Sequence, residues 1–269
     1  MVETYPQALT IAGSDSGGGA GIQADLKTFQ ERLVFGTSAI TAVTSQNTQG
    51  VQASYTLPKD VLISQLTSIF VDFDIRAVKT GMLADTETMR AVVQFAQQQS
   101  LPQLVIDPVM IAKGGASLLA ADSIQTLKEQ LVPLATVLTP NLPEAEVLVD
   151  EKLPTQSAIQ KAAQKLQALG AKNVVIKGGH RLDTEAAEDF VLLENGKSFW
   201  LSSVKTETVR THGTGCTFSA CIAAELAKQA DVEAAIRTAK AFITASIEQS
   251  IEVGHGHGPV NHWAYRKEE

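Results

Sequence analysis

Short runs of β-branched and apolar residues alternate with helix-patterned segments from residue 8 to residue 252, and this rhythm most constrains the fold. It predicts an α/β fold with a mostly parallel sheet covered on both faces, because parallel strands need helical crossovers and are buried on either side. Strands are expected at 8–12, 39–44, 75–80, 104–106, 136–139 and 174–177. A further pair at 190–194 and 198–201 flanks Asn195-Gly196. That dipeptide favours a tight hairpin, so an antiparallel pair is expected at one end of the sheet.

Helices are expected at 22–32, 59–70, 86–99, 157–169, 215–228 and 232–252. In 157–169, Ile159, Ala162, Ala163, Leu166 and Leu169 form one stripe, and Gly170 stands where a helix stops. Asp85 is suited to cap 86–99, and Pro58 to open the helix at 59–70 from its first position. No repeat or linker interrupts the chain, so residues 1–269 are expected to form a single domain. The polar, His-bearing tail from Gly254 is expected to be loosely ordered.

Charge excludes some functions. Lys and Arg number 22 against 29 Asp and Glu, a net charge of −7 spread without runs, which argues against a nucleic-acid surface. No apolar stretch approaches the ~20 residues that span a bilayer, and the N-terminus carries no signal-peptide pattern. Cys216 and Cys221, five residues apart on one predicted helix, point in different directions and lack metal-ligand spacing. The expectation is a cytoplasmic protein with free thiols and no membrane association.

Strand C-termini of such a sheet share one rim, where ligands collect. Most unusual segments follow a predicted strand: 13–21, Gln46-Asn47, Gly81-Met82, 107–115, 140–144 and 178–180. They point to a single cleft. Thr211-His212-Gly213-Thr214-Gly215-Cys216 leads directly into a helix of small residues. Its unpaired amides and the helix dipole suit the spread negative charge of a phosphoryl group in transfer. A plain helix-capping turn is the alternative.

The glycine cluster at 13–21 lacks the Gly-Lys-Ser/Thr of a P-loop and the spacing of a dinucleotide fingerprint. It is either a loop that closes over a small ligand or a mobile connection. Asp25 lies one turn beyond it, facing the cleft or solvent. Asp107 and Glu144 are carboxylates able to hold hydrated Mg²⁺, although Glu144 equally suits a helix N-terminus. Lys177 closes an apolar strand and would meet phosphate as a point cation, whereas Lys240 reads by pattern as a solvated helix residue. Cys216 sits where a helix N-terminus lowers a thiol's pKa, or else is a small buried side chain.

Together these segments resemble the ribokinase-like small-molecule kinases over nearly the whole chain, and most closely their branch of hydroxymethylpyrimidine/phosphomethylpyrimidine kinases of thiamine biosynthesis. The likeness rests on the segments 8–15, 18–29, Gln46-Asn47-Thr48, 79–83, Asp107-Pro108-Val109-Met110, 139–145, 177–180 and 211–220. It implies a three-layer α/β/α fold, ATP and Mg²⁺ as cofactors, and a homodimer. It also implies that Asp25 and Gln46 bind an aminopyrimidine whose pocket is lined by Gly21, Met82 and Val109. Gly213, Thr214 and Gly215 would cradle the transferring phosphate and Lys177 would steady ATP. Asp107, Asn141 and Glu144 would organise Mg²⁺ and its waters, with His212 and Lys240 near the phosphate and adenine regions. Cys216 stands where most of the superfamily carries a catalytic Asp. Related pyridoxal kinases share that cysteine, so pyridoxal or pyridoxine is the alternative substrate, and a non-catalytic pyrimidine or nucleotide sensor is the alternative of a different class.

Overall fold

The computed structural model describes residues 3–110, 121–179 and 186–265. The described residues form one nine-stranded sheet: β1 (Gln7–Asp15), β2 (Phe35–Asn47), β3 (Gly50–Thr56), β4 (Ile75–Thr80), β5 (Leu104–Ile106), β6 (Val137–Leu138), β7 (Asn173–Ile176), β8 (Ala186–Leu192) and β9 (Ser198–Val204). Their order is β3-β2-β1-β4-β5-β6-β7-β8-β9. From β2 to β7 every pairing is parallel, and β3, β8 and β9 join antiparallel at the two ends.

Side-chain alternation along these strands builds two cores. Ala8, Ala77, Val105, Val137 and Val175 face helices α1 (Gly21–Glu31), α7 (Thr214–Ala227) and α8 (Val232–Glu248). The adjacent Leu9, Val78, Ile106, Leu138 and Val174 face the other way, onto α2 (Lys59–Asp72), α3 (Thr86–Gln99), α5 (Leu142–Val149) and α6 (Gln156–Ala168). This is the expected three-layer arrangement. A short helix α4 (Ala121–Thr126) continues through a π turn and a 3₁₀ turn to Leu134.

Asp85 caps α3 by accepting the Thr88 N–H, as its position predicts. Four expectations need correction. Pro58 is the N-cap of α2, with ψ 141°, and not its first helical residue. The last helix stops at Glu248. Strand β3 was not foreseen, because almost all its residues are exposed and no buried face marks it. The tail beyond Gly254 is folded back on the domain through Thr48 and His212, which exchange backbone hydrogen bonds with His257, Gly258 and Val260. Residues 111–115 and His180 lie outside the described residues.

Candidate active site

The site lies where β1, β4, β5, β6 and β7 end together. Parallel register places Asp15, Gly81, Asp107, Thr139 and Lys177 along one rim: the amides of Asp107, Thr139 and Lys177 donate to Thr80, Ile106 and Pro140 on the neighbouring strand. Into this rim points the N-terminus of α7.

Gly213 caps α7 in the left-handed region, at φ 81°, and a Cβ there would run into the carbonyl oxygen of Gly19. Among the described residues the N–H groups of Gly215 and Cys216 make no hydrogen bond, as befits a first helical turn. Gly215 faces the cleft, where a Cβ would lie 3.2 Å from Lys177 Nζ and 3.4 Å from Asp107 Oδ2. Lys177 donates to Asp107 Oδ1 at 2.8 Å. Burial works against its charge, but Asp107 and Glu144 overcome this and hold the ammonium above its ordinary pKa. Ser219, one turn along α7, donates to Asp107 Oδ2 at 3.3 Å.

Glu144 caps the helix it opens. It closes a capping box, accepting the Asn141 N–H at 2.8 Å while Asn141 accepts the Glu144 N–H at 2.9 Å. Burial pushes its carboxyl up to about 7, opposed by Lys177 and assisted by Asp107. The helix N-terminus reading of Glu144 therefore holds. Together Asp107 and Glu144 offer hard oxygen donors, a donor chemistry that fits Mg²⁺ held partly through water.

On the other side of the turn lies Cys216. Its thiol accepts the Gly21 N–H and lies near Lys79 and Asp25, yet burial pushes its pKa up to about 11. The expectation that the helix N-terminus lowers it is overturned, because desolvation outweighs the dipole here. Asp25 faces inward. Both its oxygens accept from Lys79 Nζ, at 2.9 and 3.0 Å, and one accepts from Thr10 Oγ1 at 2.6 Å. Lys79 is fully buried. Burial opposes its charge, but the Asp25 carboxylate keeps it protonated above its ordinary value.

Sequence reasoning passed over Lys79. Its signal was a lysine inside the buried strand β4, which demands a carboxylate partner. Met82 packs on Gly13 and its carbonyl accepts from Thr41 Oγ1 at 2.7 Å, while the Val109 N–H donates to the Asp107 carbonyl at 2.9 Å. Gly21, at φ 56°, pairs with Ser14 across the mouth of the loop.

Two expected phosphate or nucleotide residues are engaged within the protein. His212 Nε2 lies between Asp15 Oδ2 at 2.9 Å and Gln46 Nε2 at 3.0 Å, so its ring faces the glycine loop while its backbone leads into the turn. Lys240 donates to Asp189 Oδ2 at 2.8 Å and to the Ala187 carbonyl at 3.0 Å. It is not the solvated residue its helix pattern gave. Asp189, also passed over, accepts the Gly178 N–H at 3.0 Å and so fixes the backbone directly after Lys177. Beside Lys240, a cavity of about 460 Å³ opens between β9 and α8, lined by Leu201, Arg237, Thr244 and Glu248.

With this geometry the likeness to known proteins is decisive. The family model of phosphomethylpyrimidine kinase matches residues 15–261. This chain belongs to the phosphomethylpyrimidine kinase family. A hydroxymethylpyrimidine/phosphomethylpyrimidine kinase of Haemophilus influenzae is 54% identical, over 97% of this chain and 98% of that one. A thiamine biosynthesis bifunctional protein of Geobacter sulfurreducens is 45% identical over 94% of this chain and 51% of its own length. The crystal structure of an ADP complex of Bacillus subtilis pyridoxal kinase superposes with a TM-score of 0.89 at 43% identity, covering 97% of this chain and 98% of that one. The ribokinase-like fold and the family membership agree with the sequence motifs. Among the described residues no helix is long and apolar enough to cross a membrane.

Proposed function

We propose that the protein transfers the γ-phosphate of Mg·ATP to the hydroxymethyl group of 4-amino-5-hydroxymethyl-2-methylpyrimidine, then phosphorylates the monophosphate to the diphosphate, in thiamine biosynthesis. One observation carries this reading. At the start of α7, Gly215 lies against Lys177 and Asp107, the neighbouring Cys216 thiol lies near Asp25 and Gly21, and His212 just before the turn contacts Gln46. An anion site so placed stands between a nucleotide and a small heterocycle.

The alcohol oxygen bonds to the γ-phosphorus, the bond to the β–γ bridging oxygen breaks, and ADP leaves. The amides of Gly215 and Cys216 hold the equatorial oxygens as charge spreads over them, Gly213 and Thr214 shape the turn, with the Thr214 N–H donated to the Thr211 carbonyl at 3.4 Å, and Lys177 neutralises the departing phosphate. Asp107 and Glu144 would hold Mg²⁺, with Asn141 fixing the helix entry, and the ion would supply charge neutralisation to the phosphates of ATP. Cys216 enters as a neutral thiol and does not take the hydroxyl proton, which departs late onto an oxygen of the transferred phosphate, in keeping with a loose transition state that asks little of a base.

Gln46 and Asp25 bind the aminopyrimidine, against walls of Gly21, Met82 and Val109. The cavity beside Lys240 takes the adenosine end of ATP, with His212 at the seam. A homodimer through the exposed sheet edge is part of the proposal. Val43, Val51 and Tyr55 on β2 and β3 are 44%, 51% and 65% exposed, an apolar strip suited to a second copy. Free thiols and a demand for ATP suit a cytoplasmic location.

The pyridoxal kinase likeness favours one second reading, in which vitamin B6 alcohols share the pocket. A substrate panel under identical Mg·ATP separates the two. We expect stoichiometric ADP release with the pyrimidine and its monophosphate, and slower release with pyridoxal and pyridoxine. The reverse ranking assigns the protein to B6 salvage, and no alcohol-dependent ADP release with any of them points to a sensor.

A further inference from the structure

Three side chains from separate elements meet at one ring nitrogen. His212 Nε2 lies 2.9 Å from Asp15 Oδ2 and 3.0 Å from the Gln46 carboxamide. Asp15 is 4% exposed and accepts the N–H groups of Gly17, Gly19 and Ala20 at 2.8, 3.1 and 2.9 Å. Those amides and His212 hold its carboxyl below the ordinary range although burial works against them. A ring nitrogen this close to a carboxylate carries a proton, since a bare lone pair would face an anion. An Nε2–H cannot also accept from the Gln46 NH₂ group.

The oxygen and nitrogen of a carboxamide exchange places by a half-turn, and the partners decide between the two. The partners here favour oxygen toward His212 and nitrogen toward Thr44. In that arrangement Thr44 Oγ1 donates to the Ser14 carbonyl at 3.0 Å and accepts from Gln46 at 3.2 Å, and the one Nε2–H of His212 is shared between Asp15 Oδ2 and the Gln46 oxygen.

We infer that Asp15 and His212 are positioning residues that fix the polarity of the Gln46 carboxamide, and through it which way round an aminopyrimidine enters the site. The inference rests on the kinase reading above and deepens it. An aminopyrimidine presents a donor and an acceptor side by side, the 4-amino group and ring N3, and a carboxamide pairs with both at once. Its oxygen takes the amino hydrogen, and its NH₂ group donates to N3. The hydroxymethyl is carried by C5, next to C4, so it extends on the amino side. Oxygen on the His212 side therefore sends the hydroxymethyl toward the turn that His212 opens. The opposite polarity would pair equally well, but would send the alcohol toward β2, out of reach. A pyridine without an amino group beside its nitrogen has no such paired edge, so the same device selects against it.

Two measurements test this on the full chain. Long-range ¹H–¹⁵N spectra, with His212 assigned by the signal lost in His212→Gln, should find Nε2 protonated at neutral pH. A bare Nε2 with the proton on Nδ1 overturns the proposal. In kinetics, His212→Leu should lower kcat for the pyrimidine on the order of 10²-fold through misplacement of the alcohol, while the pyrimidine's dissociation constant stays near wild type. His212→Gln, which keeps an N–H donor at similar reach, should recover most of the turnover. Weaker pyrimidine binding with kcat unchanged, or His212→Gln as impaired as His212→Leu, contradicts it. Wild-type protein inactive on every pyrimidine sinks the kinase reading instead, and active protein with a bare Nε2 sinks only this inference.

Discussion

The chain has two glycine turns that look alike in sequence and do opposite things with their amides. In the loop at 13–21, the N–H groups of Gly17, Gly19 and Ala20 all end on the carboxylate of Asp15, so the loop carries its own anion. In the turn at 211–215, the amides of Gly215 and Cys216 have no acceptor among the described residues, and Gly215 lies against Lys177 and Asp107. The two turns touch through Gly19 and Gly213, and His212 binds them together. A glycine cluster is thus only a permission for backbone approach. Whether it binds an outside anion depends on whether a nearby carboxylate has already claimed the amides.

The sharpest way to break the comparison is Gly213→Ala. The left-handed φ and the collision with the Gly19 carbonyl would force the turn open, and kcat should fall on the order of 10²–10³-fold, the scale of losing an oxyanion donor. Steady-state rates alongside a thermal melt would separate this from global unfolding.

Asp15→Ala comes next. It strips three amides of their acceptor, and the buried one, Gly19, costs about 1–3 kcal/mol when left unpaired. Hydrogen exchange should show Gly17, Gly19 and Ala20 losing protection. Gly215 and Cys216, already open, should exchange rapidly in both proteins and gain protection only with nucleotide.

The smallest effect concerns pH. Glu144 has a folded-state pKa of about 7 against an ordinary 4.5, so the native state holds this proton more tightly than the unfolded chain. Stability of the ligand-free protein should therefore decline as pH rises from about 4.5 to about 7, then level off. Mg·ATP affinity should climb across pH 7 as the carboxylate frees. Glu144→Gln should flatten both profiles, and an unchanged profile in that variant would remove Glu144 from the metal site.

Much of the fold was legible because burial on both faces writes apolar runs into β1, β5 and β7. Strand β3 was not, since an exposed edge needs no such pattern. At the site, Asp107, Lys177 and Gly213–Gly215 were readable from their place after strands. Their partners were not. Nothing local says that Asp25 would meet Lys79, 54 residues away, or that Asp15 would meet His212, 197 residues away. Those pairs arise from parallel register and crossover handedness, which bring distant strand ends to one rim. Cys216 shows the same limit: its helix position was visible, but the desolvation that reverses its pKa depends on packing from α1 and β4.

The most direct test follows the amide resonances of both turns while ADP, aluminium fluoride and the pyrimidine are added together. Large shifts are expected at Gly213, Gly215 and Cys216, with Gly17, Gly19 and Ala20 changing little as Asp15 keeps them. Shifts concentrated in residues 17–20, with the α7 turn silent, would contradict it.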